Sequence, residues 1–456
     1  MTRPPGPPSD ARTGPSRRRR LGGAAAGAFT AASALTGLTT GCAAPAEADP
    51  GDTPLRYWHL YGGGDGVNMN AMLDAFRAEH PGIGLEASTL TWGAPYYTKF
   101  GMAGAGGRAP DVAALHLARL PGFGPGTLLD SFDLDLLAEH GVRAGDFPTP
   151  LWRRGRVGAK QYAIPLDTHP MVLYYNTDIC EKAGLLDADG VLTPLRGAKQ
   201  FTDALRAAGK VTGKPGLIVE TLGSDTIGPW RLFSTLYAQT GGTLLDPDVT
   251  RLAVDDAKAL RALRLMRQLT DEGLAHRRVD YNGMIGVFGA GDTAFCLNGE
   301  WEVSTFTNLD LPFSMTRVPP LLGEPRAQAD SHCFVLPHQR DRGGQSNRAA
   351  HRFVAWMLRH SVEWAKGGHV PAYLPTLAEP DYLALRPQSA YRSVIDDVAL
   401  DPPAWFAGSA SVMWLELGAV FSGVLTGSRT PRGALTEAEK RLRDLLDTPN
   451  PLGGQG

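Results

Sequence analysis

The sequence predicts an α/β fold with mainly parallel sheets. Short β-branched and aromatic apolar runs alternate along the chain with longer runs whose apolar residues recur at helical spacing. Of 456 residues, 43% are hydrophobic and 20% charged, which supplies substantial cores and excludes a disordered chain. Gly 55 and Pro 35 are high, but no collagen-like period accompanies them. At about 150 residues per domain, the length corresponds to two or three domains.

Residues 55–61 (Leu-Arg-Tyr-Trp-His-Leu-Tyr) predict a strand, and the glycine-rich 62–66 a turn after it. That turn lacks both a Gly-Lys-Ser/Thr ending and G-x-G-x-x-G spacing, so it is not a phosphate loop. Met69, Met72, Leu73 and Phe76 then mark a helix, stopped by His80-Pro81-Gly82. Strands are expected over 83–92 and 111–116, with a short helix over 96–104 between them. Two further strands, 161–165 and 171–175, flank the polar break Asp167-Thr168-His169-Pro170. Helices are expected over 201–208 and 230–239, and over 257–272, where Leu260, Leu263, Met266 and Leu269 form one stripe. A last one, 349–364, follows a surface turn at 343–347.

The N-terminus reads differently. Six of the 45 basic residues and one of the 47 acidic residues lie in residues 1–41, so the remainder is mildly acidic. The overall net charge of -2 excludes the basic excess of a nucleic-acid binder. Arg17-Arg18-Arg19-Arg20, then an apolar Gly/Ala-rich run, form a secretory leader over 1–41 that resembles a twin-arginine export signal. Leu38-Thr39-Thr40-Gly41-Cys42 resembles a lipoprotein lipobox, with Thr39 where leucine is more usual. The resemblance implies lipidation of Cys42, a tether over 42–53 and anchorage at the outer face of the cytoplasmic membrane. Cys180, Cys296 and Cys333 form no C-x-x-C pair and are expected as small buried residues, with one disulfide left open.

Five segments together resemble the extracellular solute-binding proteins of bacterial ABC sugar importers, the family that includes the maltose-binding protein. They are Leu55-Arg-Tyr-Trp-His59 with Phe76-Arg-Ala-Glu-His-Pro81; Ala109-Pro110-Asp111-Val112; Tyr162-Ala-Ile-Pro165 with Val172-Leu-Tyr-Tyr-Asn-Thr-Asp178 and Lys182-Ala-Gly-Leu185; 288–301, ending Asn298-Gly299-Glu300-Trp301; and 361–371, ending Gly367-Gly368-His369-Val370-Pro371. Phe295-Cys296 and His332-Cys333 depart from the family's pattern. The resemblance covers about residues 54–450 and implies a two-lobed periplasmic-binding-protein-like fold, with hinge-linked lobes and a ligand cleft between them. Residues 54–165 and 318–360 are assigned to the first lobe, and 166–317 and 361–450 to the second. It further implies a monomeric receptor that captures a mono- or oligosaccharide for ABC permease subunits, without a cofactor. A non-sugar solute (glycerol phosphate or a polyamine) and a secreted polysaccharide-processing enzyme are the alternatives.

Sugar recognition needs flat apolar faces for the C–H side of the ring and planar polar groups for its hydroxyls. Trp301 and Glu300 follow the Asn-Gly pair of the family-like motif. Trp230 opens a helix after Gly228-Pro229, and Trp92 and Tyr96 flank Gly93-Ala94-Pro95. His59 and Tyr61 end the first strand and His116 the third, where α/β ligands collect. Asp167 and His169 lie in the expected hinge; Trp405 and Trp414 extend the platform. Trp356 and Trp364 are expected in the core and Trp152 at the surface. No G-x-S-x-G or H-E-x-x-H motif is present, the eleven histidines do not cluster at ligand spacing, and no metal site is expected.

Overall fold

The computed structural model describes residues 53–124, 127–222 and 227–451; the leader, the tether and Cys42 lie outside them. The strands before the first crossing are β1 (Thr53–His59), β2 (Ile83–Thr89), β3 (Val112–His116), β4 (Leu129–Asp130), β5 (Arg156–Val157), β6 (Lys160–Gln161) and β7 (Ala163–Pro165). After it come β8 (Asp167–Asn176), β9 (Leu217–Val219), β10 (Phe295–Gly299), β11 (Phe313–Arg317), β12 (Ala327–Asp330), β13 (His332–Pro337), β14 (Val370–Pro371) and β15 (Val398–Leu400). One sheet runs β2-β1-β3-β13-β4 with β7 beside β13; the other runs β15-β12-β8-β10-β9 with β11 and β14 also on β8. β5 and β6 form a separate ribbon.

The sheets are mixed rather than mainly parallel. Among the described strands, the parallel pairs are β1 with β2 and β3, β9 with β10, and β12 with β15. β8 runs antiparallel to β10, β11, β12 and β14, and β13 antiparallel to β3, β4 and β7. The cause is the chain's path between the sheets. Leu166 alone separates β7 from β8, and Ser331 alone separates β12 from β13. The second passage lies beside the first in the opposite direction, with Leu166 N donating to His332 O at 2.7 Å. β12 falls inside the segment assigned to the first lobe yet pairs with β8 in the second sheet, which puts this crossing at Ser331.

The polar break expected at 167–170 does not exist. β8 is continuous and every residue in it is buried, because Asp167 and Thr168 pair with Pro371 and Val370 of β14, and His169 and Pro170 with Asp330 and Ala329 of β12. Its side chains alternate as strand geometry requires. Met171, Leu173 and Tyr175 enter a core beneath helices Gly197–Thr212, Ile227–Gln239, Asp256–Asp271 and Val412–Thr426. Val172 and Tyr174 enter a second core on the opposite face with Phe288, Cys296 and Phe306. The first sheet has its own core, where Leu55 and Tyr57 meet Met69, Phe76 and Phe353.

Two expected turns are helical instead. Gly63–Glu79 is one helix, so the glycines after Gly62 form its first turn, where Gly64 passes so close to Ser304 that a Cβ would lie 2.7 Å from it. Gly344–Arg359 likewise takes in most of 343–347, and a separate short helix, Ser361–Ala365, follows it. Among the described residues, no helix is long and apolar enough to cross a membrane. Cys180, Cys296 and Cys333 are free and buried.

Candidate functional site

The strands of the first sheet end where the chain crosses to the second, and a cavity of about 500 Å³ opens there. That lies within the ~300–1,000 Å³ range of small-molecule sites. Tyr61 reaches it just past the end of β1, Trp92 from the loop after β2, and His116 from the last position of β3. The second-sheet side brings His169 from β8, Trp301 from the turn after β10, Arg231 from helix Ile227–Gln239, and Trp414 from helix Val412–Thr426. Asp280, Tyr281, Asn282 and Glu220 add polar groups.

Local sequence explains the pose of Trp301. It is half-buried, and its ring folds back over Gly299, where a Cβ would lie 1.8 Å from the indole; only glycine leaves that room. Its Nε1 donates to the Tyr281 hydroxyl at 2.6 Å, and that hydroxyl donates to Glu302 at 2.5 Å. The Arg231 guanidinium lies 4.6 Å from the Trp301 ring centre and 5.5 Å from that of Trp414. Trp414 Nε1 donates to Asp401. One cation is thus held between two indoles that are themselves anchored by hydrogen bonds.

Six of the twelve expected ligand-site residues line this cavity: Trp301, Trp92, Tyr61, His116, His169 and Trp414. Three lie just behind it. His59 stacks on Tyr61 with ring centres 5.3 Å apart, and Asp167 and Glu300 are wholly buried. The other three belong elsewhere. Trp230 is fully buried against Phe421 in the helical core of the second sheet, because the helix turns its neighbour Arg231 toward the cleft instead. Tyr96 is fully buried, with its hydroxyl donating to Ala114 O at 2.5 Å and Trp58 O at 3.3 Å. Trp405 packs at the margin of a core, its carbonyl against Gly122. Trp152 is buried against Phe147 rather than at the surface.

The histidines, scattered in sequence, do cluster in space. Asp167 Oδ1 lies 3.1 Å from His169 Nδ1, and Oδ2 lies 2.7 Å from His332 Nδ1 and 3.4 Å from His369 Nδ1. His369 also meets Asp65 at 3.0 Å and Glu300 at 2.9 Å. Burial alone would raise the Asp167 carboxyl, but the imidazoles of His332 and His369 and hydrogen bonds from His169 and His332 hold it well below its usual range. Burial, reinforced by the neighbouring His332, pushes His116 and His169 well down. For His369 burial is outweighed by Asp65 and Asp167, which hold it well up; burial raises Glu300 despite His369. Arg231, Tyr281, His332 and His369 are not among the site residues that the sequence singles out. For Arg231 a signal existed, since a helix opening at the cleft edge can present either of two adjacent residues; for the histidines, separated by up to 200 positions, there was none.

Two α/β lobes around a lined cleft define a solute-binding protein. A family model described as bacterial extracellular solute-binding protein matches residues 63–363, and the chain belongs to that family, one of binding proteins rather than enzymes. The arabinooligosaccharide-binding protein of Bacillus subtilis (strain 168) is 26% identical over 268 residues, 56% of this chain and 58% of the relative, so the chain spans little more than half the length of that curated relative. The GacH receptor of Streptomyces glaucescens GLA.O, solved unliganded and in complex with acarbose, shares the fold with a TM-score of 0.73, 20% identity and coverage of 87% of this chain and 98% of that one. UgpB from Mycobacterium tuberculosis, in complex with glycerophosphocholine, has a TM-score of 0.72, 17% identity and coverage of 87% and 99%.

Proposed function

We propose that the protein captures a mono- or oligosaccharide between its lobes and delivers it to the permease of an ABC importer, without turning it over. The observation that carries this reading is the pairing of rigid aromatic faces (Trp92 and Trp301, with Trp414 buried at the cavity's edge) with planar polar groups (Arg231, Asp280, Asn282) around one cavity. Indole faces suit the C–H side of a pyranose or furanose, and the polar groups suit its hydroxyls. The Bacillus relative is named for an arabinooligosaccharide and GacH was solved with acarbose, which supports a carbohydrate. A glycerol phosphate, the class to which the UgpB ligand belongs, wants clustered cations, and Arg231 shares its cavity with Glu220 and Asp280. That same Arg231 repels a polyamine. Closure would pivot at Leu166 and Ser331, between lobes built mainly from 54–165 with 332–360 and from 166–330 with 361–450. It requires a ligand that binds the closed state better than the open one.

The leader, residues 1–41, would direct export by the twin-arginine route. Lipidation of Cys42 would then hold a monomeric receptor to the outer face of the cytoplasmic membrane through the 42–53 tether. Cys42→Ser should release the protein from membranes or leave it unprocessed; unchanged attachment and processing would refute the anchor. For the ligand, a thermal-shift screen should span arabino- and malto-oligosaccharides, glycerophosphodiesters and polyamines, since a ligand at 100 times its dissociation constant stabilises by about 2.7 kcal/mol. Stabilisation by saccharides without product formation is expected. Stabilisation only by a phosphodiester or polyamine, or hydrolysis of a glycan, would overturn the reading.

A further inference from the structure

At the wall of the cleft, where His169 and His332 line the cavity, three separate passages of the chain bring their donor atoms to one point. Asp167 and His169 open β8, His332 opens β13, and His369 precedes β14; all four are buried. One donor atom from each lies within 4.8 Å of all the others. Zinc–nitrogen and zinc–oxygen bonds of about 2.0–2.1 Å in a tetrahedron put neighbouring donors roughly 3.3–3.4 Å apart. Asp167 Oδ2 lies 3.4 Å from His369 Nδ1, at that spacing, while the contacts of Oδ2 with His332 Nδ1 at 2.7 Å and of Oδ1 with His169 Nδ1 at 3.1 Å are hydrogen bonds that would open by a few tenths of an ångström on binding.

The surroundings are built as metal sites are. Asp65 meets Nε2 of His369 at 3.0 Å while its Nδ1 faces the cluster, the carboxylate–histidine arrangement that orients a ligating imidazole. The Asp167 carboxylate is fixed by Trp364 Nε1 at 2.7 Å and by the His332 backbone N–H at 2.8 Å. A second, independent sign is Glu300. It is fully buried, its Oε1 lies 2.9 Å from His369 Nδ1, and neither oxygen meets hydrogen-bond geometry. His169 Nε2 is also buried without a hydrogen-bond partner. Three carboxylates, Asp65 at the cavity wall and the buried Asp167 and Glu300, therefore lie around His369.

We propose that Asp167, His169, His332 and His369 form a binding site for a divalent transition-metal ion of the zinc type, with Asp65 orienting His369 and Glu300 as a further carboxylate within reach. Three imidazoles and one carboxylate select such an ion over magnesium or calcium, which prefer all-oxygen shells. The site sits at the strand crossings, so the ion would tie β8, β13 and the approach to β14 together. The proposal does not depend on which solute the cleft takes.

The test uses the exported form of the chain, stripped with chelator, exchanged into Zn²⁺ or Mg²⁺ and gel-filtered, with metal content measured by mass spectrometry in the absence of any saccharide. About one zinc per chain and no retained magnesium is expected, together with a higher melting temperature in zinc. His332→Ala should abolish retention. Asp65→Asn keeps all four donors and guards against misfolding of the first variant; it should weaken zinc binding by roughly 10–100-fold in competition with a chromogenic chelator. No zinc retained above the buffer level would overturn the site. So would retention unchanged in both variants, which would place the ion on other histidines. Because no sugar is present, failure here and failure of the carbohydrate screen are separate results.

Discussion

Truncating Trp301 to alanine removes a half-buried indole that faces the cleft and two contacts that hold it. In the ligand-free protein the losses are the 2.6 Å bond to Tyr281, worth about 1 kcal/mol, and the Arg231 guanidinium 4.6 Å from the ring, worth roughly 0.5–2 kcal/mol. Folding stability should therefore fall by about 2 kcal/mol, less than the ~3–5 kcal/mol expected for a wholly buried tryptophan. Stacking on a sugar ring makes the same side chain a binding hot spot, so affinity should fall by about 2 kcal/mol or more, at least roughly thirtyfold in Kd. Calorimetric titration with the saccharide found in the screen, beside denaturant unfolding of the free protein, reads both quantities. Trp301→Phe keeps a ring face and loses the Tyr281 bond, so its affinity should lie between the two. Unchanged affinity in Trp301→Ala would refute the stacking platform.

Trp230→Ala should do the converse: a loss of about 3–5 kcal/mol in folding stability, with ligand affinity nearly retained in the folded fraction, measured by the same pair of assays. His59 is held neutral by burial, its pKa pushed down to about 4. Below pH 6.5 the unfolded chain takes up a proton that the folded chain refuses, so stability present above pH 6.5 is lost as pH falls toward 4, by roughly 3 kcal/mol over the window. His116 and His169 act in the same direction. Unfolding curves at several pH values should show a shallower decline in His59→Phe, which keeps the ring between Tyr57 and Tyr61; an equally steep decline would exonerate His59. Burial pushes the Cys180 thiol up to about 12 and those of Cys296 and Cys333 well up. The three thiols should resist a disulfide reagent in the native state, react in denaturant, and leave melting unchanged by reductant.

The sequence by itself determined the local elements and the family. Apolar spacing marked helix Asp256–Asp271 and strand β1 because both bury one stripe or face, and that demand is written at periods of 3.6 and 2. The Asn-Gly-Glu-Trp run pointed to a cleft tryptophan, since Gly299 and Trp301 meet within three positions. Tertiary structure decided what depends on distant partners. Asp167, Thr168 and His169 look like a polar break between two strands, yet they are buried within β8 because their partners lie at 330–332 and 369–371. The same long-range pairing turned the sheets from parallel to mixed and gathered the histidines. Helical phase chose Arg231 over Trp230 for the cleft, because the apolar surface of that helix faces Phe421 across the core, and only packing against the neighbouring helix sets that phase.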